Sequence, residues 1–327
     1  MLPPDQAMNT SRRRFLAQTS ALGALLAAGC AYHPDRSGVL VRTRSSANPG
    51  PEPGEGKPWF EISLAEWSYH RAIFAKKMSH LDFPVVARRD HGLAAIELVN
   101  QFFMKQAQDR SFLADFKRRC DGEGVRVLLI MCDGEGALGD PDAAKRRQAV
   151  ENHFKWADAA KYFGGHSIRV NAETNGVGTF EEQQKRAADG LAQLSEFCGQ
   201  LGLNCIVENH GHLSSNGQWL SGVMRMVGRK NCGILPDFGN FQINPGEWYD
   251  RYKGVAEMMP FAKAVSAKAN DFDAAGNCVE TDYAKMLPIV RAAGYRGWLG
   301  IEYEGEKHGE REGVEKTRLL LERFRHA

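Results

Sequence analysis

Residues 179–212 read TFEEQQKRAADGLAQLSEFCGQLGLNCIVENHGH, and this stretch holds a complete passage from helix to strand. Thr179 followed by Glu181 and Glu182 opens a helix over 179–201, because a hydroxyl caps free amide groups and acids suit the positive end of the helix. Gly202 ends it, supplying the left-handed residue that helices commonly stop on. Asn204 to Glu208 then reads as a short strand whose apolar Cys205-Ile206-Val207 gives way to a run of polar residues.

Outward from this unit the same passage recurs. Strand-like runs are predicted at 60–67, 94–99, 125–131, 167–170, 204–208, 233–235, 264–268 and 298–301. Their starts lie roughly 30 to 40 residues apart, the length of one strand plus one crossover helix. Long amphipathic helices are predicted over 142–163 and 179–201, and a last one over 314–325. Alternating strands and helices mean an α/β fold with a parallel sheet, and eight units over 58–327 match a single (β/α)8 TIM barrel domain. The competing open, doubly wound sheet wants G-x-G-x-x-G after its first strand, and no such motif is there.

The first 57 residues are of another kind. Ser11-Arg12-Arg13-Arg14-Phe15-Leu16 precedes a small-residue apolar run ending at Cys30, so 1–30 reads as an export signal of twin-arginine type. Ala27-Ala28-Gly29-Cys30 also reads as a lipoprotein cleavage site, with a plain signal cut near Ala28 to Ala31 as the alternative. The apolar run falls short of the ~20 residues that a spanning helix needs, so any tie to a membrane is expected only through lipid on Cys30. Residues 31–57, with Pro49-Gly50-Pro51-Glu52-Pro53-Gly54, form a linker. The expected location is the periplasm. Six further cysteines, Cys120, Cys132, Cys198, Cys205, Cys232 and Cys278, form no C-x-x-C pair, and no disulfide is predicted.

Composition narrows the function. The 327 residues are 43% hydrophobic and 25% charged, and 42 basic against 40 acidic side chains leave a net charge of +2. Such a chain carries no basic field for nucleic acid. Its partner is expected to be a small molecule, and a homo-oligomer is left open.

Barrel enzymes keep their chemistry at the C-terminal ends of the strands. There the fifth strand ends in Glu208-Asn209-His210-Gly211-His212, the sixth runs Ile234-Leu235-Pro236-Asp237, and the eighth runs Gly300-Ile301-Glu302. With a side-chain period of two, Ile206, Glu208 and His210 share a face. Three carboxylates on one rim raise one another's pKa unless a cation neutralises them, which points to one divalent metal held by Glu208, Asp237 and Glu302, with His210 beside them. Oxygen-rich ligation suits Mn, Mg or Co, and Zn fits an open catalytic site. Candidate substrate contacts are Trp67, His70, Glu97, Arg169, His212, Asn240 and Lys268. Of these, Arg169 and Lys268 are equally suited to pairing internally with Glu97 or the metal carboxylates.

Glu, Asp and Glu ending strands five, six and eight resemble the xylose isomerase-like TIM barrel superfamily, in its sugar phosphate isomerase/epimerase branch. The resemblance covers roughly residues 59 to 327. It implies that Glu208, Asp237 and Glu302 are metal ligands, and that Glu208 and Glu302 also serve as acid and base. Two departures stand out. The strand-seven signature His-x-Lys-Asp appears as Ser266-Ala267-Lys268-Ala269, so the expected fourth ligand is absent and His210 or water completes the sphere, or the metal is weakly held or lost. The strand-six Asp-x-x-His appears as Asp237-Phe238-Gly239-Asn240, leaving an amide to meet the substrate.

The reaction class that follows is proton abstraction alpha to a carbonyl through an enediolate, as an isomerase or epimerase would perform it. Export and the lack of a Gly-rich phosphate cradle favour a non-phosphorylated sugar or sugar derivative. Elimination from a 3-keto-glycoside is the alternative chemistry, and a saccharide-binding lipoprotein without catalysis is the alternative of another class. The endonuclease-like branch needs several His ligands, whereas only His70, His210 and His212 stand near the rim.

Overall fold

A computed structural model describes residues 57–326. The expectations for the signal, the linker and Cys30 lie outside the described residues. Eight parallel strands follow one another around a barrel: β1 (Glu61–Ala65), β2 (Ala95–Val99), β3 (Arg126–Met131), β4 (Ser167–Asn171), β5 (Asn204–Glu208), β6 (Cys232–Leu235), β7 (Val265–Ala269) and β8 (Trp298–Tyr303). Each begins and ends within two residues of its expected bounds.

The ladders run β1 to β6 in chain order and from β1 through β8 to β7. The seam between β6 and β7 is closed by isolated bridges, Ile234 with Ala262 and Asp237 with Ser266. There the Ser266 amide donates to Pro236 O at 2.9 Å and the Phe238 amide to Ser266 O at 3.1 Å.

Between strands and helices lies the main apolar core, which includes the fully buried Trp156 and Trp219. A smaller cluster, Ala65, Val99, Leu129, Met131, Ile206, Leu235 and Ala264, fills the barrel interior. The helix Phe180–Gln200 shows why the sequence was readable. Thr179 Oγ1 accepts from the Glu182 amide at 3.2 Å while the Glu182 carboxylate accepts from the Thr179 amide at 2.8 Å, a reciprocal cap. Its buried Ala187, Leu191, Leu194 and Cys198 recur at helical spacing, and Gly202 takes the left-handed φ of +72°. Gly190 lies against the loop after β3, where a Cβ would come within 2.0 Å of Leu138 O.

Three features differ from the sequence reading. The helix expected over 142–163 is two helices, Ala143–Asn152 and Phe154–Phe163, stepped at His153, whose Nδ1 donates to Ala149 O at 2.7 Å while the backbone there shifts to i→i−3 bonds. The last helix starts earlier, at Glu310. After β6 the chain makes a small antiparallel hairpin, Gln242–Asn244 with Glu247–Trp248, leaving Trp248 exposed. The six cysteines among the described residues are buried and unpaired, and no helix among them is long and apolar enough to cross a membrane.

Candidate active site

Strand ends place the three carboxylates together. Glu208 is the last residue of β5, Asp237 follows β6 by two residues, and Glu302 is the fifth residue of β8. All three are buried, and one oxygen from each lies within 4.8 Å of the others. Asp237 is fixed on both sides: Oδ1 accepts from the amides of Gly239 and Asn240, each at 2.8 Å, and Oδ2 accepts from Ser266 Oγ at 2.7 Å. Asn209 holds the turn after β6. Its Oδ1 accepts from the Asp237 amide at 2.7 Å, and its Nδ2 donates to the carbonyls of Asp237 and Asn240, each at 3.0 Å.

Two cations thread the cluster. Lys268, paired in register with Glu302 across β7 and β8, puts its ammonium 3.0 Å from Glu302 Oε1, 2.7 Å from Glu304 Oε2 and 3.0 Å from Asn240 Oδ1. Arg169 Nη1 donates to Asp133 Oδ1 at 2.7 Å, and Nε stands 2.8 Å from Glu208 Oε2. That second contact is badly aligned, so Arg169 Nε and Glu208 Oε2 both remain buried without a hydrogen bond.

The charges do not balance. Burial pushes Glu208 well above the carboxylate range, and the Arg169 guanidinium beside it does not bring it back. Asp237 is raised for the same reason despite Lys268. Burial works against the Lys268 ammonium, but Asp237, Glu302 and Glu304 outweigh it and hold the charge firmly. Asp133 is driven to about 2, since Arg169 overcomes the cost of its burial. The carboxylate cluster is therefore short of positive charge, and Glu208 Oε2 is a buried acceptor with an open valence. An all-oxygen donor set with a buried oxygen that makes no hydrogen bond fits a divalent ion, whose charge would favour the ionised carboxylates that burial disfavours. Glu208, Asp237 and Glu302 would hold it.

The remaining candidates separate. Asn240 Nδ2 donates to Glu208 Oε1 at 2.9 Å, so the amide sits between Glu208 and Lys268. His210 stands outside the group of three, beyond the end of the ladder at Glu208, but near enough to Arg169, Asp133, Lys268 and Asp237 to feel their charges. His212 is exposed on the following turn at φ +51°. His70 stacks on Trp67 with ring centres 4.7 Å apart, and the Trp67 indole N–H donates to Glu304 Oε1. Trp67 thus reaches the cluster through Glu304 and Lys268.

Glu97 is not at a strand end. It lies mid-strand in β2, points into the barrel below the rim, accepts from Ser63 Oγ at 2.6 Å, and fits because residue 300 is glycine: a Cβ there would be 2.5 Å from Glu97 Oε1. Burial raises it to about 7, with Glu302 adding to and Arg169 opposing the shift. Its unfolded value is 4.5, so between about pH 4.5 and 7 the folded chain keeps a proton that the unfolded chain has released. Stability falls as pH rises through that window. Glu97→Gln, which cannot ionise, should flatten the pH dependence of the melting temperature and exceed the parent at about pH 8; a parallel pair of curves would show that Glu97 does not titrate there.

Sequence reasoning missed Asp133, Asn209 and the buried Glu66–His80 pair. Asp133 follows β3 by two residues, as Asp237 follows β6, so the same rule would have found it. Glu66 accepts from His80 Nδ1 at 2.6 Å and from the Val99 amide at 3.1 Å, tying the ends of β1 and β2 together next to Trp67. His80 in turn stacks against Phe103 and Phe116, at 4.5 and 4.4 Å.

The sequence profile of xylose isomerase-like TIM barrels matches residues 85–324. The chain belongs to this family. No curated protein matches it in sequence. Among solved structures, the barrel is similar to D-allulose 3-epimerase from Methylomonas sp., at 15% identity and a TM-score of 0.63, over 82% of this chain and 99% of that one. It is also similar to 3-keto-D-glucoside 4-epimerase from E. coli, at 14% identity and a TM-score of 0.58, over 82% and 100%. A third similar structure is a xylose isomerase-like TIM barrel protein from Mycobacterium smegmatis in complex with magnesium, at 15% identity and a TM-score of 0.58, over 80% and 95%. At these identities the likeness is one of fold.

Proposed function

We propose that the chain is an isomerase or epimerase of the sugar type, dependent on one divalent metal, that removes and returns a proton alpha to a carbonyl through an enediolate. The observation that carries this reading is the buried trio of Glu208, Asp237 and Glu302 at the strand ends, with the oxygen of Glu208 left without a donor. When bound, the ion would act as a Lewis acid toward adjacent oxygens of a hydroxy-ketone and acidify the C–H between them. Glu208 and Glu302 come from strands three apart around the barrel, and on this reading one removes the proton and the other returns it. Lys268 and Asn240, between them, present an ammonium and an amide to sugar oxygens, and Trp67 offers a flat apolar face.

The substrate is read as a non-phosphorylated sugar or sugar derivative. No Gly-rich phosphate cradle exists in the sequence, and the twin-arginine-like start points to a periplasmic protein, held to the membrane if Cys30 is lipidated. The similarity in fold to 3-keto-D-glucoside 4-epimerase keeps elimination from keto-glycosides as the second chemistry to test.

Elemental analysis tests the metal. The purified protein should retain, or recover on incubation with Mn²⁺, about one equivalent of divalent ion, and Glu208→Gln and Asp237→Asn should each lose it. A parent that retains none and incorporates no solvent deuterium into ketoses or 3-keto-glycosides would leave a saccharide-binding barrel without catalysis.

A further inference from the structure

Ser266 is placed where it touches two of the three candidate ligands at once. It is buried in β7, its Oγ lies 2.7 Å from Asp237 Oδ2 and 3.3 Å from Glu302 Oε2, and its backbone forms the bridge to Asp237 that closes the barrel. The hydroxyl donates to Asp237, and the same position sets Oγ directly beside one oxygen of each of two candidate ligands, where it could turn a lone pair to a shared cation. The other polar groups nearby are committed elsewhere. Lys268 Nζ is engaged by Glu302, Glu304 and Asn240 and carries no free lone pair. No His or Cys belongs to the carboxylate group among the described residues.

We propose that Ser266 Oγ is the fourth side-chain oxygen of the site, and that the resulting donor set, free of nitrogen and sulfur, suits it to Mg²⁺ or Mn²⁺ while withholding the ligand type that favours Zn²⁺. This rests on the metal reading above. The physical ground is ligand softness: carboxylate and hydroxyl oxygens favour hard ions, whereas imidazole and thiolate widen the lead of zinc over manganese. Glu208 Oε2 is buried with the Arg169 guanidinium 2.8 Å away but no hydrogen bond, and Ser266 lies on the opposite side of Asp237 from that atom's own strand. Residue 266 is therefore the specificity-determining position.

The test is a near-isosteric change, Ser266→Cys, in the full chain, with Ser266→Ala as the control for folding. Equilibrium dialysis against Mn²⁺ and Zn²⁺ should show that Ser266→Cys raises the ratio of zinc to manganese affinity by at least about tenfold over the parent. Co²⁺ added to Ser266→Cys should give a thiolate-to-cobalt charge-transfer band that the parent lacks. Ser266→Ala, which loses a donor to the buried Asp237 carboxylate, should fold but melt somewhat below the parent without metal, and bind Mn²⁺ several-fold more weakly. An unchanged ratio together with no cobalt band would overturn the role of Ser266 and leave the metal reading standing if the parent still binds Mn²⁺. A parent that binds neither ion would overturn both.

Discussion

Glu302→Gln should lose about 10²- to 10⁴-fold in solvent-deuterium exchange into any ketose or 3-keto-glycoside that the parent turns over, while melting within a few degrees of it. Glutamine keeps the shape of the side chain and one oxygen for Lys268 Nζ, which now lies 3.0 Å from Glu302 Oε1. What it removes is the capacity to take up a proton. Because Glu302 is also a proposed metal ligand, the comparison is made at saturating Mn²⁺, with bound metal measured in the same samples. Exchange retained at the parent rate in metal-loaded Glu302→Gln would remove Glu302 from the chemistry and pass its role to another carboxyl.

The second large effect is on stability. Arg169 is buried between Asp133 and Glu208, with Nη1 donating to the first at 2.7 Å and Nε beside the second at 2.8 Å. Arg169→Leu leaves two carboxylates inside the barrel without their cation, and breaking a buried pair in this way costs about 3–5 kcal/mol. For a domain of this size that is a fall in melting temperature on the order of 10 °C. The loss should grow with pH. Glu208, already raised by burial, rises further without Arg169, so the folded variant holds a proton that the unfolded chain releases above its ordinary carboxylate range. The variant is least affected at acidic pH and most affected at alkaline pH. Equal destabilisation at both ends would mean that lost packing of the long side chain, not charge, is what the substitution removes.

The carboxylates and the cations were not equally legible in the sequence. Glu208, Asp237 and Glu302 announce themselves because each follows an apolar run at the point where a buried strand reaches its polar end. Asp133 meets the same description, but its setting in Asp133-Gly134-Glu135-Gly136 reads as a turn. Alternation along a strand assigns faces, not neighbours, so it placed Arg169 and Lys268 inside the barrel without saying which acid each meets. The answer depends on how adjacent strands are staggered: Glu302 stands opposite Lys268, and Asn171 opposite Glu208, which sets Arg169 one layer below. Alternation also lapses where a ladder stops, so it could not say that Asn209 would hold the turn after β6 or where His210 would stand relative to the three carboxylates. The step at His153 had no counterpart in the apolar pattern, which runs through it unbroken.

Asp237 and Ser266 have been described as site residues and, separately, as the bridge between β6 and β7. They are one contact. Every other neighbouring pair of strands in the barrel shares a ladder, broken only by a register shift between β2 and β3, whereas this pair is held by isolated bridges, so local opening is expected to begin here. An opening at that seam would pull Asp237 away from Ser266 and dismantle the ligand set with it. On the proposed ligand set, binding of an ion would also fasten the barrel, since a ligand that binds only the closed form stabilises it by mass action. Slower amide hydrogen exchange at Phe238 and Ser266 on addition of Mn²⁺, with little change in β2 and β3, would be its signature.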